Sequence, residues 1–212
     1  MPILRRMIKP AKHWLITPFF SLYIGWIIKR NFQAVNFTQV DLHPAKAVLL
    51  IANHFSWWDG FLLYYLNKIY FKKHFRIMVL EETMREVTFF RYLGRFSVTK
   101  NSRQVVESLQ YAAELLSDPD NLVVIFPQGK LYSNFVESVT FEKGLLKITE
   151  MATADFQYLF AAAFTENFDH KKPSVNVGFK VMQQDEVLVN NLQKAYQQHY
   201  DQVKQRQTQI TV

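Results

Sequence analysis

Two short apolar runs constrain the fold of this chain more strongly than any other feature. They lie in the stretches 46–52 (KAVLLIA), where the run follows Lys46, and 122–126 (LVVIF). Continuous apolar runs of this length are typical of strands that are buried on both faces of a parallel sheet. Helical patterns lie between such runs, and strands that alternate with helices indicate an α/β domain. The sequence therefore predicts an α/β fold with a mixed, mainly parallel sheet flanked by helices.

The other segments from residue 34 onward fit the same alternation. Further strands are predicted at 75–80, 96–99, 156–163 and 175–181. Helices are predicted at 59–68, 82–93, 102–117, 142–154 and 186–207. The helix at 102–117 is the most regular, because its apolar residues recur on one face and Ser102 is suited to cap its N-terminus.

The N-terminal segment has a different character. Residues 14–28 carry no charge, and basic residues flank them on both sides. These 15 residues are fewer than the roughly 20 that a membrane-crossing helix needs. We therefore interpret residues 3–31 as one or two helices that lie in a membrane interface, with a buried core helix as the alternative. The chain is divided accordingly into a membrane-associating helical segment, 1–33, and an α/β domain, 34–212.

Composition narrows the class of partner. The net charge is +7 and aromatic residues make up 16% of the chain, which contains no cysteine. Basic charge suggests an anionic partner, and the many aromatic residues favour a lipid bilayer over nucleic acid, for which no motif is present. A chain without cysteine fits a reducing compartment. We expect the protein at the cytoplasmic face of the cell membrane. The predicted membrane contacts are Trp14, Phe19, Phe20, Trp26, Trp57 and Trp58.

The loop after the first buried run carries a candidate catalytic pair. His54 follows the strand directly, and Asp59 comes five residues later, at the start of the next helix. A carboxylate on one ring nitrogen fixes the tautomer of the imidazole and leaves the other nitrogen free to act as a base. The natural target of such a base is a hydroxyl group. By spacing alone, a structural histidine beside a helix-capping aspartate is the alternative, and no metal site is indicated because His54 has no second ligand at the required spacing.

Several motifs resemble those of a known family. The stretch 53–59 (NHFSWWD) resembles the first motif of the glycerolipid acyltransferases, of the 1-acyl-sn-glycerol-3-phosphate acyltransferase type. The stretch 126–129 (FPQG) stands where that family has Phe-Pro-Glu-Gly, and Gly94 with Lys100 resembles its second motif. Residues 142–144 (EKG) resemble the family's Lys-Gly step. The similarity covers residues 46–165.

The resemblance implies a function in lipid metabolism and phospholipid biosynthesis. It implies transfer of a fatty acyl group from acyl-CoA or acyl-acyl carrier protein, as a co-substrate, to a hydroxyl of a lysophospholipid. His54 would be the general base and Asp59 its orienting partner, with no cofactor and no metal. The candidate substrate-binding residues are Lys100, Arg103, Gln128, Gly129 and Lys130. For the glycine a turn role is the alternative, and for the three basic residues it is an exposed position or a helix cap.

Some residues depart from the family pattern. Gln128 stands in place of a glutamate, and Leu131 in place of the arginine that would bind phosphate in a bidentate manner. Lys100 replaces another arginine, and the apolar stretch 159–164 lacks the family's proline. These changes motivate an alternative acceptor, such as a lyso-amino-acid lipid or a glycolipid of the carotenoid glycoside kind. A catalytically inactive, membrane-binding homologue is the other alternative.

Overall fold

A computed structural model describes residues 7–11, 13–99, 104–187 and 191–212 of the chain. Seven strands in the described residues form one sheet: β1 (Ala34–Phe37), β2 (Ala47–Ala52), β3 (His74–Leu80), β4 (Arg95–Val98), β5 (Asn121–Ile125), β6 (Phe156–Glu166) and β7 (Ser174–Gln183). The helices are α1 (Ile16–Asn31), α2 (Asp59–Leu66), α3 (Glu81–Glu86), α4 (Gln104–Leu115), α5 (Lys143–Met151) and α6 (Leu192–Gln207). A π-helical turn (Asn67–Phe71) follows α2, and a 3₁₀ helix (Thr88–Leu93) follows α3.

The strand order in the sheet is β1-β7-β6-β2-β5-β3-β4. Only the β6–β7 pair is antiparallel, and the other five pairs are parallel. This confirms the predicted α/β fold with a mixed, mainly parallel sheet flanked by helices. The short strand β1 was not predicted, and it is held at the edge of the sheet by parallel pairing with β7.

The two apolar runs that predicted the fold form the centre of the sheet. All six residues of β2 and all five of β5 are buried. Leu49 and Ile51 of β2 belong to a core that α4, α5 and α6 cover, whereas Val48 and Leu50 belong to a core under α1 and α2. Burying one such side chain contributes about 1.5–3 kcal/mol, so continuous apolar character is what a central strand with two covered faces requires.

The predicted helices differ from the observed ones at their ends, and the predicted helix 142–154 ends already at Met151. The predicted helix 82–93 is two elements, because Val87 leaves the helical conformation (φ −121°, ψ 77°) at a point where two β-branched residues follow each other. The predicted helix 186–207 begins only at Leu192, since the Glu186 side chain accepts a hydrogen bond from the Gln183 N–H in a preceding turn. The predicted helix 59–68 ends at Leu66 and continues as the π-helical turn. The expected cap Ser102 lies outside the described residues.

The N-terminal helix α1 has one buried face and one exposed face. Ile24, Ile27 and Ile28 are buried, and Ile24 and Ile28 belong to the core under α2, so α1 is a core helix on that side. Its other side and the turn before it expose large apolar residues: Trp14, Leu15, Phe19, Leu22, Tyr23 and Trp26. No helix in the described part of the chain combines the length and apolar character needed to cross a bilayer. The division of the chain at residue 33 stays a prediction.

The sheet has a carboxyl edge, at which β2 and the strands parallel to it end, and an opposite edge, at which these strands begin. At the carboxyl edge, β2 leads into the loop 53–58 and β5 leads into the loop 126–142. The hairpin of β6 and β7 projects beyond this edge, because β2 ends opposite Ala161 whereas β6 runs on to Glu166. Sites in open α/β sheets lie at the carboxyl ends of the strands. The loop that carries His54 is therefore at the expected edge.

Candidate active site

The predicted pair is in direct contact. His54 Nδ1 lies 2.8 Å from Asp59 Oδ2. The histidine side chain is 23% exposed, whereas that of the aspartate is 4% exposed. No hydrogen bond between described residues uses Nε2 of His54. The arrangement therefore orients the ring through its inner nitrogen and leaves Nε2 for a molecule that approaches from outside.

Backbone hydrogen bonds hold Asp59 in place. The N–H groups of Phe55 and Ser56 both donate to Asp59 Oδ2, at 2.8 and 2.9 Å. This carboxylate thus closes the loop 53–58 on itself at the point where α2 begins. The second oxygen, Oδ1, is buried and has no hydrogen-bond partner among the described residues. Asp59 also borders a small cavity that apolar side chains of α2 and β6 line together with Asn53 and Phe126.

The start of the loop is fixed by Asn53. Its side chain is buried and exchanges two hydrogen bonds with the backbone of Ala163: Nδ2 donates to the carbonyl at 2.9 Å, and Oδ1 accepts from the N–H at 2.8 Å. The side chain thereby continues the pairing of β2 with β6 beyond the end of β2. His54 leaves the sheet from a position that both strands determine.

Phe126 and Gln128 of the neighbouring loop complete the surroundings of His54. The ring of Phe126 stacks on the imidazole, with centroids 4.1 Å apart and planes at 10°. Gln128 is 3% exposed, and its Oε1 accepts a hydrogen bond from the backbone N–H of His54 at 2.7 Å. The sequence indicates Phe126 only as part of a motif and does not predict its stacking on His54. A glutamine at position 128 retains a hydrogen-bond acceptor without burying a second carboxylate beside Asp59.

Gly129 forms the turn that returns this loop. Its φ is +64°, which favours glycine, and its N–H donates to the carbonyl of Phe126 at 3.2 Å. Farther along, the N–H of Tyr132 donates to the carbonyl of His54 at 2.9 Å, so the two loops of the site are joined at two points. Gly129 therefore has the turn role that is the alternative to substrate binding, and substrate binding by Gln128 and Gly129 stays a prediction.

The predicted basic groups have different outcomes. Lys130 is exposed, and its Nζ lies 5.2 Å from the centroid of the Tyr132 ring. Leu131, at the position of the family's arginine, is 52% exposed. Lys100 and Arg103 lie outside the described residues. A cation that the sequence did not single out, Arg95, is buried with its guanidinium over the Phe61 ring of α2, and burial lowers its pKa to about 9.

The predicted membrane contacts fall into two groups. Trp14, Phe19, Trp26 and Trp57 are exposed. Phe20 and Trp58 are half-buried and pack against the core, where Trp58 meets Phe32 edge-to-face at 5.4 Å. Among the described residues, no group of three or more His, Asp and Glu side chains could hold a metal ion.

The fold and the site define a class: an α/β protein whose polar site, a His–Asp pair, lies at the carboxyl edge of a central parallel strand. The Acyltransferase family model matches residues 34–163, which run from β1 through β6 and include both loops of the site. The chain therefore belongs to the acyltransferase family and is an acyltransferase. The comparison with curated proteins finds no match to this chain.

Proposed function

We propose that this protein is a membrane-associated O-acyltransferase that moves a fatty acyl group from acyl-CoA or acyl-acyl carrier protein to a hydroxyl of a lysophospholipid. The observation that carries the proposal is the contact of His54 with Asp59 at the carboxyl edge of β2. One ring nitrogen is held by a buried carboxylate, and the other is accessible. This is the geometry of a general base for a hydroxyl group.

The proposed step requires only a base and two substrates. Nε2 of His54 takes the proton of the acceptor hydroxyl while its oxygen forms a bond to the thioester carbonyl carbon. The carbon–sulfur bond then breaks, and the proton on the imidazole passes to the leaving thiolate, so the base is regenerated. Asp59 holds the ring in one tautomer throughout, because its Oδ2 faces Nδ1. Base catalysis of this type contributes about 10²–10⁴ in rate.

Substrate binding is proposed for the residues around this pair. Lys130 at the mouth of the site, together with Lys100 and Arg103, would attract the phosphate groups of the donor or the acceptor. The exposed aromatic side of α1 supports association with a bilayer, since tryptophan and tyrosine favour the interface and Lys29 and Arg30 follow on the last turn. We place the protein at the cytoplasmic face of the cell membrane, where acyl thioesters are available.

A panel of donors and acceptors tests this proposal. The purified full chain is mixed with vesicles that contain lysophosphatidic acid, other lysophospholipids, a lyso-amino-acid lipid or a glycolipid. Each acceptor is paired with labelled acyl-CoA and with labelled acyl-acyl carrier protein, and the products are identified by mass spectrometry. We expect a diacyl product from a lysophospholipid. The absence of product from every pair would overturn the proposal and favour the inactive, membrane-binding alternative.

A second acceptor class is favoured by Leu131. The family's arginine at this position would form a two-pronged contact with phosphate, but here an exposed leucine stands there beside a single lysine, Lys130. This favours an acceptor without glycerol phosphate, such as a lyso-amino-acid lipid or a carotenoid glycoside. We expect Leu131→Arg to shift preference toward lysophosphatidic acid, with Leu131→Met as the matched control. A wild-type preference for lysophosphatidic acid would remove this candidate.

A further inference from the structure

Besides the exposed apolar residues of α1, a second group of exposed apolar residues lies at the carboxyl edge of the sheet. Phe135 is 76% exposed and Trp57 is 57% exposed. Phe168, at the tip of the β6–β7 hairpin, is also exposed. Together with Leu131 and Tyr132, these residues are named the carboxyl rim. They come from three separate segments: the loop 53–58, the loop 126–142 and the hairpin turn.

Hydrogen bonds bring these three segments together around the mouth of the site. The backbone of Tyr132 is bonded to that of His54 at 2.9 Å. The Asn134 side chain donates to the carbonyl of Thr165 at 3.3 Å, which joins the loop 126–142 to the projecting part of the hairpin. Phe168 holds its tip position with φ at +45°, a conformation that non-glycine residues rarely adopt. These bonds tie the loop 126–142 both to the loop that carries His54 and to the hairpin, so the three segments of the rim lie beside the site.

Cations accompany the apolar side chains of the rim. Lys130 lies over the ring of Tyr132, and Lys171 and Lys172 follow Phe168 in the hairpin turn. All three lysines are exposed. The acidic residue of that turn, Asp169, lies 3.4 Å from Nε2 of His170. Aromatic residues interleaved with lysines match the chemistry of an anionic bilayer surface, in which rings enter the headgroup region and ammonium groups meet phosphates.

In the described residues, the opposite edge of the sheet lacks a group of exposed aromatic residues interleaved with lysines. The aromatic, basic stretch 70–76 lies there, just before and within β3, but its rings are used internally. The Tyr70 hydroxyl donates to the carbonyl of Val40, and Phe71 packs edge-to-face on Phe179. Met151, at the end of α5, is an exposed apolar residue at this edge. By contrast, the end of α1 lies at the carboxyl edge, because the N–H of Gln33 donates to the carbonyl of Pro173 beside the hairpin.

We propose that the carboxyl rim inserts into the headgroup region of an anionic bilayer and forms a second membrane contact besides α1. The mouth of the His54 site then faces the lipid, so an acceptor reaches Nε2 from the bilayer without crossing water. The inference rests on the proposed function in one respect, namely that the acceptor is a membrane lipid. The inference goes beyond the proposed function because it assigns a membrane contact to the loops of the site in addition to that of the N-terminal helix.

The absence of cysteine permits a direct test by site-specific labelling. Four full-length variants carry one cysteine each: Phe135→Cys and Phe168→Cys on the rim, Leu22→Cys on α1, and Met151→Cys at the end of α5, at the opposite edge and on the other face of the sheet from α1. Each is labelled with an environment-sensitive fluorophore and mixed with phosphatidylglycerol–phosphatidylethanolamine vesicles, with and without lipids that bear a quencher. We expect a blue shift and lipid-dependent quenching at positions 135, 168 and 22, and no change at position 151.

The outcomes separate this inference from the proposed function. Labels at 135 and 168 that remain in water while the label at 22 enters the lipid would overturn the rim contact and leave anchoring by α1 intact. A blue shift at 135 or 168 without vesicles would mean that a second copy of the chain covers the rim, and it would also overturn the inference. Acyl transfer by the unlabelled protein, measured separately, tests the function itself.

Discussion

At the scale of single residues, the imidazole of His54 is positioned by three kinds of contact. Asp59 holds its side chain, Phe126 stacks on its ring, and Gln128 accepts from its backbone N–H. A buried donor that loses its acceptor costs more than the hydrogen bond contributed, because the group stays out of water. Gln128 therefore supports the site although nothing requires it to contact substrate.

Replacing Gln128 tests this support. We expect Gln128→Ala to lower the free energy of unfolding by about 1–3 kcal/mol, because the His54 N–H loses its acceptor. We also expect a slower acyl transfer at saturating substrate, since the ring is less firmly positioned. Gln128→Glu keeps an acceptor oxygen and serves as the matched control. Equal stability and equal rates for the alanine variant and the wild type would contradict this account.

At the scale of elements, the docking of α6 on β7 depends on a glycine. A Cβ atom at Gly178 would lie 2.3 Å from Cγ2 of Val203, closer than real atoms approach. We expect Gly178→Ala to destabilise the protein by about 1–3 kcal/mol, the usual cost of overpacking. Adding Val203→Ala should recover part of the loss, and chemical denaturation of the single and double variants measures the coupling. Strictly additive effects would show that α6 is not held at this contact.

The same helix introduces a pH dependence through His199. Burial lowers its pKa from 6.5 to about 4, with smaller contributions from nearby Lys180 and Arg206, although its hydrogen bond to the carbonyl of Gly178 opposes the shift. The folded protein therefore keeps this histidine neutral, whereas the unfolded chain takes up a proton as the pH falls below about 6.5. Stability contributed by the neutral form is present above that pH and is lost progressively down to a pH of about 4.

Urea denaturation at several pH values measures this loss. We expect the free energy of unfolding to fall between pH 6.5 and pH 4 by as much as about 3 kcal/mol from this group. His199→Gln removes the titrating group and should flatten that part of the profile, and His74→Gln, at an exposed position, is the matched control. A profile that keeps its slope in the His199 variant would assign the pH dependence to other residues.

At the scale of the whole molecule, the predictable strands are those whose burial is visible in their own sequence. β2 and β5 are buried on both faces, so their sequences are apolar, except for Asn121 at the start of β5, and indicate a parallel α/β sheet. β1 was not predictable, because its four residues depend on pairing with β7. The site likewise combines residues that are close in sequence with contacts between distant segments. His54 and Asp59 are near neighbours in sequence, but Asn53 meets Ala163 at a separation of 110 positions and His54 meets Gln128 at 74.

The position of the exposed surfaces is likewise a property of the whole fold. A hydropathy pattern marks the aromatic residues of α1, but only the sheet shows that its end, the two site loops and the hairpin tip share one edge. It also shows that Tyr70 and Phe71 are engaged at the other edge. We therefore expect membrane affinity to fall most when Leu22→Ser and Phe135→Ser are combined, and vesicle co-sedimentation of the single and double variants checks this. An unchanged affinity in the double variant would place the contact elsewhere.

One variant tests whether His54 acts as the base of acyl transfer. His54→Ala should fold normally, because its side chain is partly exposed, and should transfer acyl groups about 10²–10⁴ times more slowly than the wild type. His74→Ala, an exposed histidine at the opposite edge, should retain the wild-type rate. The measurement is the rate of labelled acyl transfer to the best acceptor of the panel, with circular dichroism as the check on folding. A folded His54→Ala variant that transfers acyl groups at the wild-type rate would contradict the account.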